Sequence, residues 1–373
     1  MHQYTHYLVW IFLGQSLLKS DPLAAAAIRQ IRPFFEDAFD LGAGGATLTW
    51  STQESQLFNN PALLPYGGKL LRWLGGKTTL SPGTETLSIS DTLQSSSSDS
   101  TSSNPIEPLF QTPVHLGASQ AFSFISNNFG VAFFANAEPD LRAWRRGTPD
   151  SGGGTSQLHF RSESYGGAVA SFAGRVQGAD WLSFGLTAKQ LYRLEVDQTL
   201  DIVSLGNTEN LATLTQSLAQ SAELGTGTAI DIGSLIFLQG KHLDWRIAAV
   251  QANAGGLRFS NGENSLPAML HGGVGVSLHT AGDAIHLAAD LKDIQGATNL
   301  PTYKRVYAGV KIMLRGILGL SAGVHHGHPS YGAAFDFFLF RLAGSVYTRE
   351  YHDTPGVDAR PITMFSFVTG TDF

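Results

Sequence analysis

Cysteine is absent from this chain of 373 residues, which removes disulfides, thiolate metal sites and cysteine nucleophiles together. Charge is scarce as well. Asp, Glu, Lys and Arg make up 14% of the residues, against about a quarter in an ordinary soluble protein. The net charge of −6 offers no basic excess, so nucleic acid gains no electrostatic support as a partner. No window holds 18 uninterrupted apolar residues, so the chain has no clear helical membrane span. What it has instead is glycine (42 residues), phenylalanine (23 residues) and a mean hydropathy near zero. Few charges with many small and aromatic residues suit a surface that faces something other than water.

The N-terminus carries a short apolar run, "YLVWIFLGQSLL" (Tyr7–Leu18), then "KSD" and "PLAAAA". This order matches the h-region and small-residue cleavage site of a secretory signal over residues 1–27, with cleavage near Ala26 or Ala27. The n-region "MHQYTH" has no Lys or Arg, and an amphipathic N-terminal helix is the competing reading.

From Val114 onward the sequence alternates. "KRVYAGVKIML" sets Val306, Ala308, Val310, Ile312 and Leu314 on one face and Arg305, Tyr307, Gly309 and Lys311 on the other. "IHLAADLKD" opposes Ile285, Leu287, Ala289 and Leu291 to His286, Asp290 and Lys292, and "HGGVGVSLHT" repeats the habit. Period two over 8–12 residues, punctuated by Gly, Asn, Asp or Pro, predicts antiparallel strands of a sandwich or barrel. Two insertions break the rhythm: a Ser-rich loop over 88–108, and a helical spacing of Leu211, Leu214, Leu218 and Leu224 near 207–225. The stretch "GGKLLRWLGGKTTLSPG" after Tyr66 shows no clean alternation.

A membrane barrel fits better than a sandwich. The second face is built from Gly, Ser, His, Lys and Asp, which suits a lumen, and the charges are too few for a solvated outer face. The chain ends "ITMFSFVTGTDF", with Phe365, Phe367 and Phe373 on one parity. A terminal Phe after an alternating strand is the signal that bacterial outer-membrane barrels present to the barrel-assembly machinery.

Three segments resemble the FadL-like outer-membrane β-barrel family, nearest its TraF-like and PorV-like branch. They are "FDLGAGGATLTWSTQESQLFNNPALL" (Phe39–Leu64), the two strands and glycine-rich turn of Thr226–Phe259, and the closing hairpins of Gly316–Phe367. The resemblance implies an all-β transmembrane barrel of about 12–14 antiparallel strands spanning 69–373, with residues 28–68 folded into the lumen as a hatch. It assigns the hatch motif to Asn59, Asn60, Pro61 and Ala62, with Gly42, Gly44 and Gly45 as preceding turn positions. The location implied is the bacterial outer membrane, among lipid and lipopolysaccharide. The activity implied is passage of a small, fatty-acid-like hydrophobic molecule. The alternative is a PorV-like accessory or scaffold whose loops hold a protein partner. Read without the family, "NNPALL" is Asn60 capping a helix with Pro61 at its first position.

The remaining constellations offer little chemistry. "HHGH" (His325–His328) sits at a hairpin between two predicted strands, has no second ligand group and reads as a polar loop rather than a metal site. No G-x-S-x-G elbow is present, so an enzyme is not expected, and nothing calls for a cofactor. "DSGGGTSQ" (Asp150–Gln157) lacks the G-K-[ST] ending of a phosphate loop and reads as a turn. "LRAWRRGTPD" (Leu141–Asp150) reads as an interfacial girdle, with a lipopolysaccharide contact at the outer rim as the functional alternative.

Overall fold

The computed structural model describes residues 34–52, 54–66, 71–86, 114–146, 155–201, 222–261, 266–280, 282–337, 339–350 and 359–371. The expected signal at 1–27, the Ser-rich loop at 88–108 and Phe373 lie outside them.

Fourteen antiparallel strands close into one barrel, each paired with its sequence neighbours, and β1 (Leu71–Pro82) pairs with β14 (Ala359–Thr371). Between these lie β2 (Val114–Ser126), β3 (Phe129–Arg146), β4 (Thr155–Val176), β5 (Ala179–Asp201), β6 (Glu223–Leu238), β7 (Leu243–Ala252) and β8 (Met269–His279). The circuit continues through β9 (Ala284–Leu291), β10 (Val306–Leu314), β11 (Leu318–His325), β12 (His328–Asp336) and β13 (Phe340–Glu350). Closure leaves no sheet edge, so every strand finds its hydrogen bonds within the barrel, as a hydrocarbon environment demands.

Alternation reads directly onto the two faces. Phe122, Phe133, Phe172, Trp245, Val274, Leu287, Phe365 and Phe367 point outward and stay exposed, Phe133 at 63%. A continuous belt of such side chains has no place in water and is a lipid-facing surface. Lys77, Ser171, Lys189, Asp231, Asp290, Lys311, Ser321, Ser330 and Ser366 point inward and are buried. Among the described residues no helix is long and apolar enough to cross a membrane; the crossings are made by strands.

Several local expectations need correcting. The unpatterned stretch after Tyr66 contains β1, whose inward face is small or polar (Gly75, Lys77, Thr79, Ser81). Glu223 and Leu224 belong to β6 rather than to a helix, and Leu224 is exposed at 64% on the outer face; residues 207–221 lie outside the described set. Thr155–Gln157 of the glycine-rich segment opens β4, and Leu141–Arg146 closes β3. "HHGH" forms the expected hairpin between β11 and β12, and the turn is a tight one. His326 (φ 53°) and Gly327 (φ 82°) form the two-residue turn between β11 and β12, the left-handed pair a hairpin of this length requires. His325 and His326 are buried.

Short connections gather at one rim: 127–128, 177–178, 239–242, 280–283, 315–317 and 337–339. The strand ends that lead into the longer connections lie at the other, along with the His326–Gly327 turn. The N-terminal segment fills the lumen with α1 (Ala38–Gly42), α2 (Gln56–Asn59) and a 3-10 helix (Pro61–Tyr66).

Candidate functional site

A segment inside a barrel must satisfy its own backbone, and much of this one is satisfied by wall side chains. Asp37 caps α1, accepting the Phe39 and Asp40 N–H groups at 2.8 and 3.1 Å. The Ser330 hydroxyl accepts from Gly44 N–H at 3.0 Å and donates to Gly42 O at 3.1 Å. Asp290 accepts Thr47 and Leu48 N–H at 2.6 and 3.0 Å. Nearer the short-turn rim, Ser183 donates to Ala62 O at 2.7 Å, Arg175 to Pro65 O at 2.6 Å and Arg246 to Thr49 O at 3.1 Å.

The two motif clusters sit on glycine seats. Gly42, Ala43 and Gly44 lie across β10–β12 so closely that side chains are excluded on the wall. A Cβ at Gly309 would stand 2.1 Å from Ala43 O, and one at Gly323 would stand 2.5 Å from Gly44 N. Gly44 and Gly45 turn with φ of 75° and 73°, the conformation glycine supplies at no steric cost. The Asn-Pro-Ala triplet rests on β5 and β6 in the same way. A Cβ at Gly185 would meet Ala62 N at 2.6 Å, and one at Gly233 would meet Asn60 Oδ1 at 2.4 Å. Asn60 is fully buried; its amide donates to Leu48 O at 2.8 Å and its Oδ1 accepts from Ala62 N–H at 3.0 Å. It therefore caps the 3-10 helix that starts at Pro61 and ties that turn to the bend at Leu48. Asn59 is half-buried and lines a small cavity.

Buried ion pairs bind the hatch to the wall. Asp37 meets Lys77, and Asp40 meets Lys311 at 2.7 Å. Lys311 also lies over the Trp50 ring at 3.8 Å. Burial pushes the Asp37 carboxyl up, but the Lys77 ammonium and its hydrogen bond bring it below the ordinary carboxylate value. A depressed pKa stabilises the seated hatch above the unfolded value near 3.8, and this contribution disappears as pH falls through the lower folded value. Protease protection of residues 37–52 is thus expected to persist at pH 5 and fall below about pH 4. An Asp37→Asn variant is expected to lose that acid-dependent step.

The lumen is not uniform. Around β9–β11 it is charged and glycine-lined, with Asp290, Lys311, Gly309 and Gly323 against the hatch. Apolar hatch residues pack on β6–β7 (Leu48, Ala62 and Leu63) and on β12–β14 (Ala38, Phe39 and Leu41). A third apolar cluster, rich in rings, lies toward β2–β6, with Ile125, Phe134, Val169 and Leu191 on the wall facing Phe35, Leu57, Phe58 and Leu64 of the hatch. Aromatic rings dominate the contact: Phe58 meets Phe134 edge-on at 5.2 Å, and Phe34 meets Tyr165 at 5.3 Å. Leu257 and Phe259, from the connection after β7, close this cluster near the long-loop end. Composition alone gives no sign of this sector, because its wall residues are single inward positions on different strands. Toward β10, a cavity of about 20 Å³, room for about one water, is lined by Glu36, Asp40, Thr47, Asn59, Lys292, Tyr307 and His325 among others.

Of the remaining candidates, His328 contacts Glu350 at 3.1 Å, and His326 accepts or donates with the Tyr307 hydroxyl at 2.6 Å. No group of three or more potential metal ligands occurs among the described residues. Phe365 and Phe367 face lipid on β14.

No family model matches the sequence, and no curated protein matches it. Solved structures do. The Ralstonia pickettii toluene transporter TbuX superposes with a TM-score of 0.51 at 12% identity, over 91% of this chain and 98% of that one. The Pseudomonas putida toluene transporter TodX gives 0.48 at 11% identity, over 92% and 99%. At 12% identity the likeness to TbuX is one of fold.

Proposed function

We propose that the chain is a FadL-like barrel of the bacterial outer membrane that passes small hydrophobic molecules inward past a seated hatch. The observation that carries this reading is the apolar, ring-lined sector between the hatch and β2–β6. A water-filled pore has a polar inner face, whereas here phenylalanines of hatch and wall meet across the lumen. An apolar solute entering there exchanges water for aromatic and aliphatic contacts, worth about 25 cal/mol per Å² of apolar surface buried. TbuX, which shares the fold, is described as a toluene transporter, and a small uncharged hydrophobe is the solute class this sector suits.

The hatch is the moving part of the proposal. It is held by discrete contacts (Asp37–Lys77, Asp40–Lys311 and the Asn60 bonds) rather than by strand pairing, so it can shift while the barrel stays closed. The competing scaffold role takes its support from the lumen, which the hatch fills. Uptake separates the two. Entry of a hydrophobic tracer into vesicles holding the purified barrel is expected to exceed entry into protein-free vesicles at least tenfold. Equal entry would favour the scaffold.

A further inference from the structure

At the long-loop end of the apolar sector the inward faces of β3–β6 carry an unusual rung. Glu138 stands opposite Glu163, Glu163 opposite Glu195, and Glu195 opposite Glu223. Like charges directly opposite each other destabilise a sheet. Arginines compensate part of the rung: Arg193 reaches Glu195 at 2.6 Å and Glu163 at 3.3 Å, and Arg349 reaches Glu138 at 2.8 Å. Arg161 stands 3.9 Å from Glu195. The next row outward adds Asp140 and Asp197 on either side of Arg161, with His115 at 2.7 Å from Asp140 and His159 at 2.7 Å from Asp197.

Just below the rung, polar atoms are left over. Arg193 is 2% exposed and spends one guanidinium nitrogen on both glutamates; its Nε and Nη1 are buried without a hydrogen-bond partner. Asn261 lies beside Gly225, the residue opposite Arg193 on β6, and neither its amide nitrogen nor its oxygen has a partner. The guanidinium lies 5.7 Å from the centroid of the Phe259 ring, Asn261 and Phe259 both reach Gly225, and Tyr165 packs 6.2 Å beyond the ring. Buried donors without acceptors penalise the state that holds them. A group that supplies an acceptor there is favoured for that reason.

The charge around these donors decides which acceptor. A carboxylate or phosphate would approach Arg193 past four glutamates and two aspartates, and the guanidinium is already neutralised by two of them. A neutral oxygen meets no such repulsion. Resting on the transport reading, we infer that the solute is a neutral hydrophobic molecule bearing one hydrogen-bond acceptor, such as a ketone or ester. Its oxygen would be taken by Arg193 and Asn261 and its apolar body by Phe259 and Tyr165. The acidic rung would turn away fatty-acid anions. Arg193 and Asn261 become specificity-determining residues, which plain hydrocarbon transport does not need.

The test uses the full-length barrel in detergent with three probes of one carbon skeleton: decane, 2-decanone and decanoate. The expected order is 2-decanone tightest, by about tenfold over decane, with decanoate weakest at pH 7. Asn261→Leu, which changes no charge, is expected to remove most of the advantage of 2-decanone over decane. Glu163→Gln with Glu223→Gln is expected to strengthen decanoate binding. Decane and 2-decanone binding equally, or a ketone preference untouched by Asn261→Leu, would overturn the inference and leave hydrophobic transport standing. Decanoate binding tightest would overturn it too. Failure of all three probes to bind would count against the transport reading itself and the inference with it.

Discussion

Replacing Lys311 by methionine is expected to destabilise the seated hatch by about 3–5 kcal/mol, the cost of leaving one member of a buried pair uncompensated. Methionine preserves most of the aliphatic stem and removes the ammonium that meets Asp40 and lies over Trp50, so the loss is chiefly electrostatic. Asp40 would keep its bonds from Thr52, at 3.2–3.4 Å, and the more distant Lys292, but lose its hydrogen-bonded cation. The double variant Asp40→Asn/Lys311→Met is expected to recover most of the stability, because the buried charge goes with its partner. The urea midpoint for protease cleavage within residues 38–52 reads both. A single variant as stable as the parent would mean that the pair does not hold the hatch.

Valine at Gly323 is expected to unseat the hatch while sparing the barrel. Valine suits a strand; its Cβ would also stand 2.5 Å from Ala308 O on the neighbouring β10, which the wall must accommodate by a local shift. The new side chain would start 2.5 Å from backbone atoms of Ala43 and Gly44, which cannot rotate away. Overpacking of this kind costs about 1–3 kcal/mol and more where backbone is the obstacle. The expected result is a barrel that still shows its folded, heat-modifiable gel mobility, faster cleavage near residues 42–46, and raised leak of the hydrophobic tracer. Gly174→Val is the control. Nothing lies within 4 Å of a Cβ there, and the change is expected to stay within about 0.5 kcal/mol. Equal behaviour of the two variants would sink the glycine-seat explanation.

The barrel wall was legible because its physics is local. In Val306–Leu314 each residue's face follows from parity, and Tyr307 and Lys311 lie inside where the pattern puts them, with Val306 exposed. β1 was not legible, since Gly75, Gly76, Lys77 and Thr78 mix small and polar residues on both faces. Leu224 was misread because leucines three and four apart mimic a helix even where the last of them begins a strand. The hatch was half legible. Its glycines and the Asn-Pro-Ala triplet stood out, but their partners (Gly185, Gly233, Gly309, Gly323) are ordinary strand glycines until the lumen brings a backbone against them. The same holds for the glutamate rung, which exists only in the register between four strands. The "HHGH" hairpin was legible from the strands on either side of it, but not that its two-residue turn carries two of the histidines inward against Tyr307 and Tyr347.

The central claim is that solute passes only when the hatch moves, and a locked hatch tests it most directly. The chain has no cysteine of its own, so Leu57→Cys with Gly130→Cys introduces the sole pair. A Cβ at Gly130 would stand 2.5 Å from Leu57 Cδ2, so the two positions face each other at the junction of hatch and apolar sector, and loss of free thiol on oxidation verifies the bridge. The measurement is tracer entry into vesicles containing this variant, oxidised and then reduced. The account predicts at least a tenfold fall on oxidation and recovery on reduction. Uptake unchanged by the bridge would contradict it.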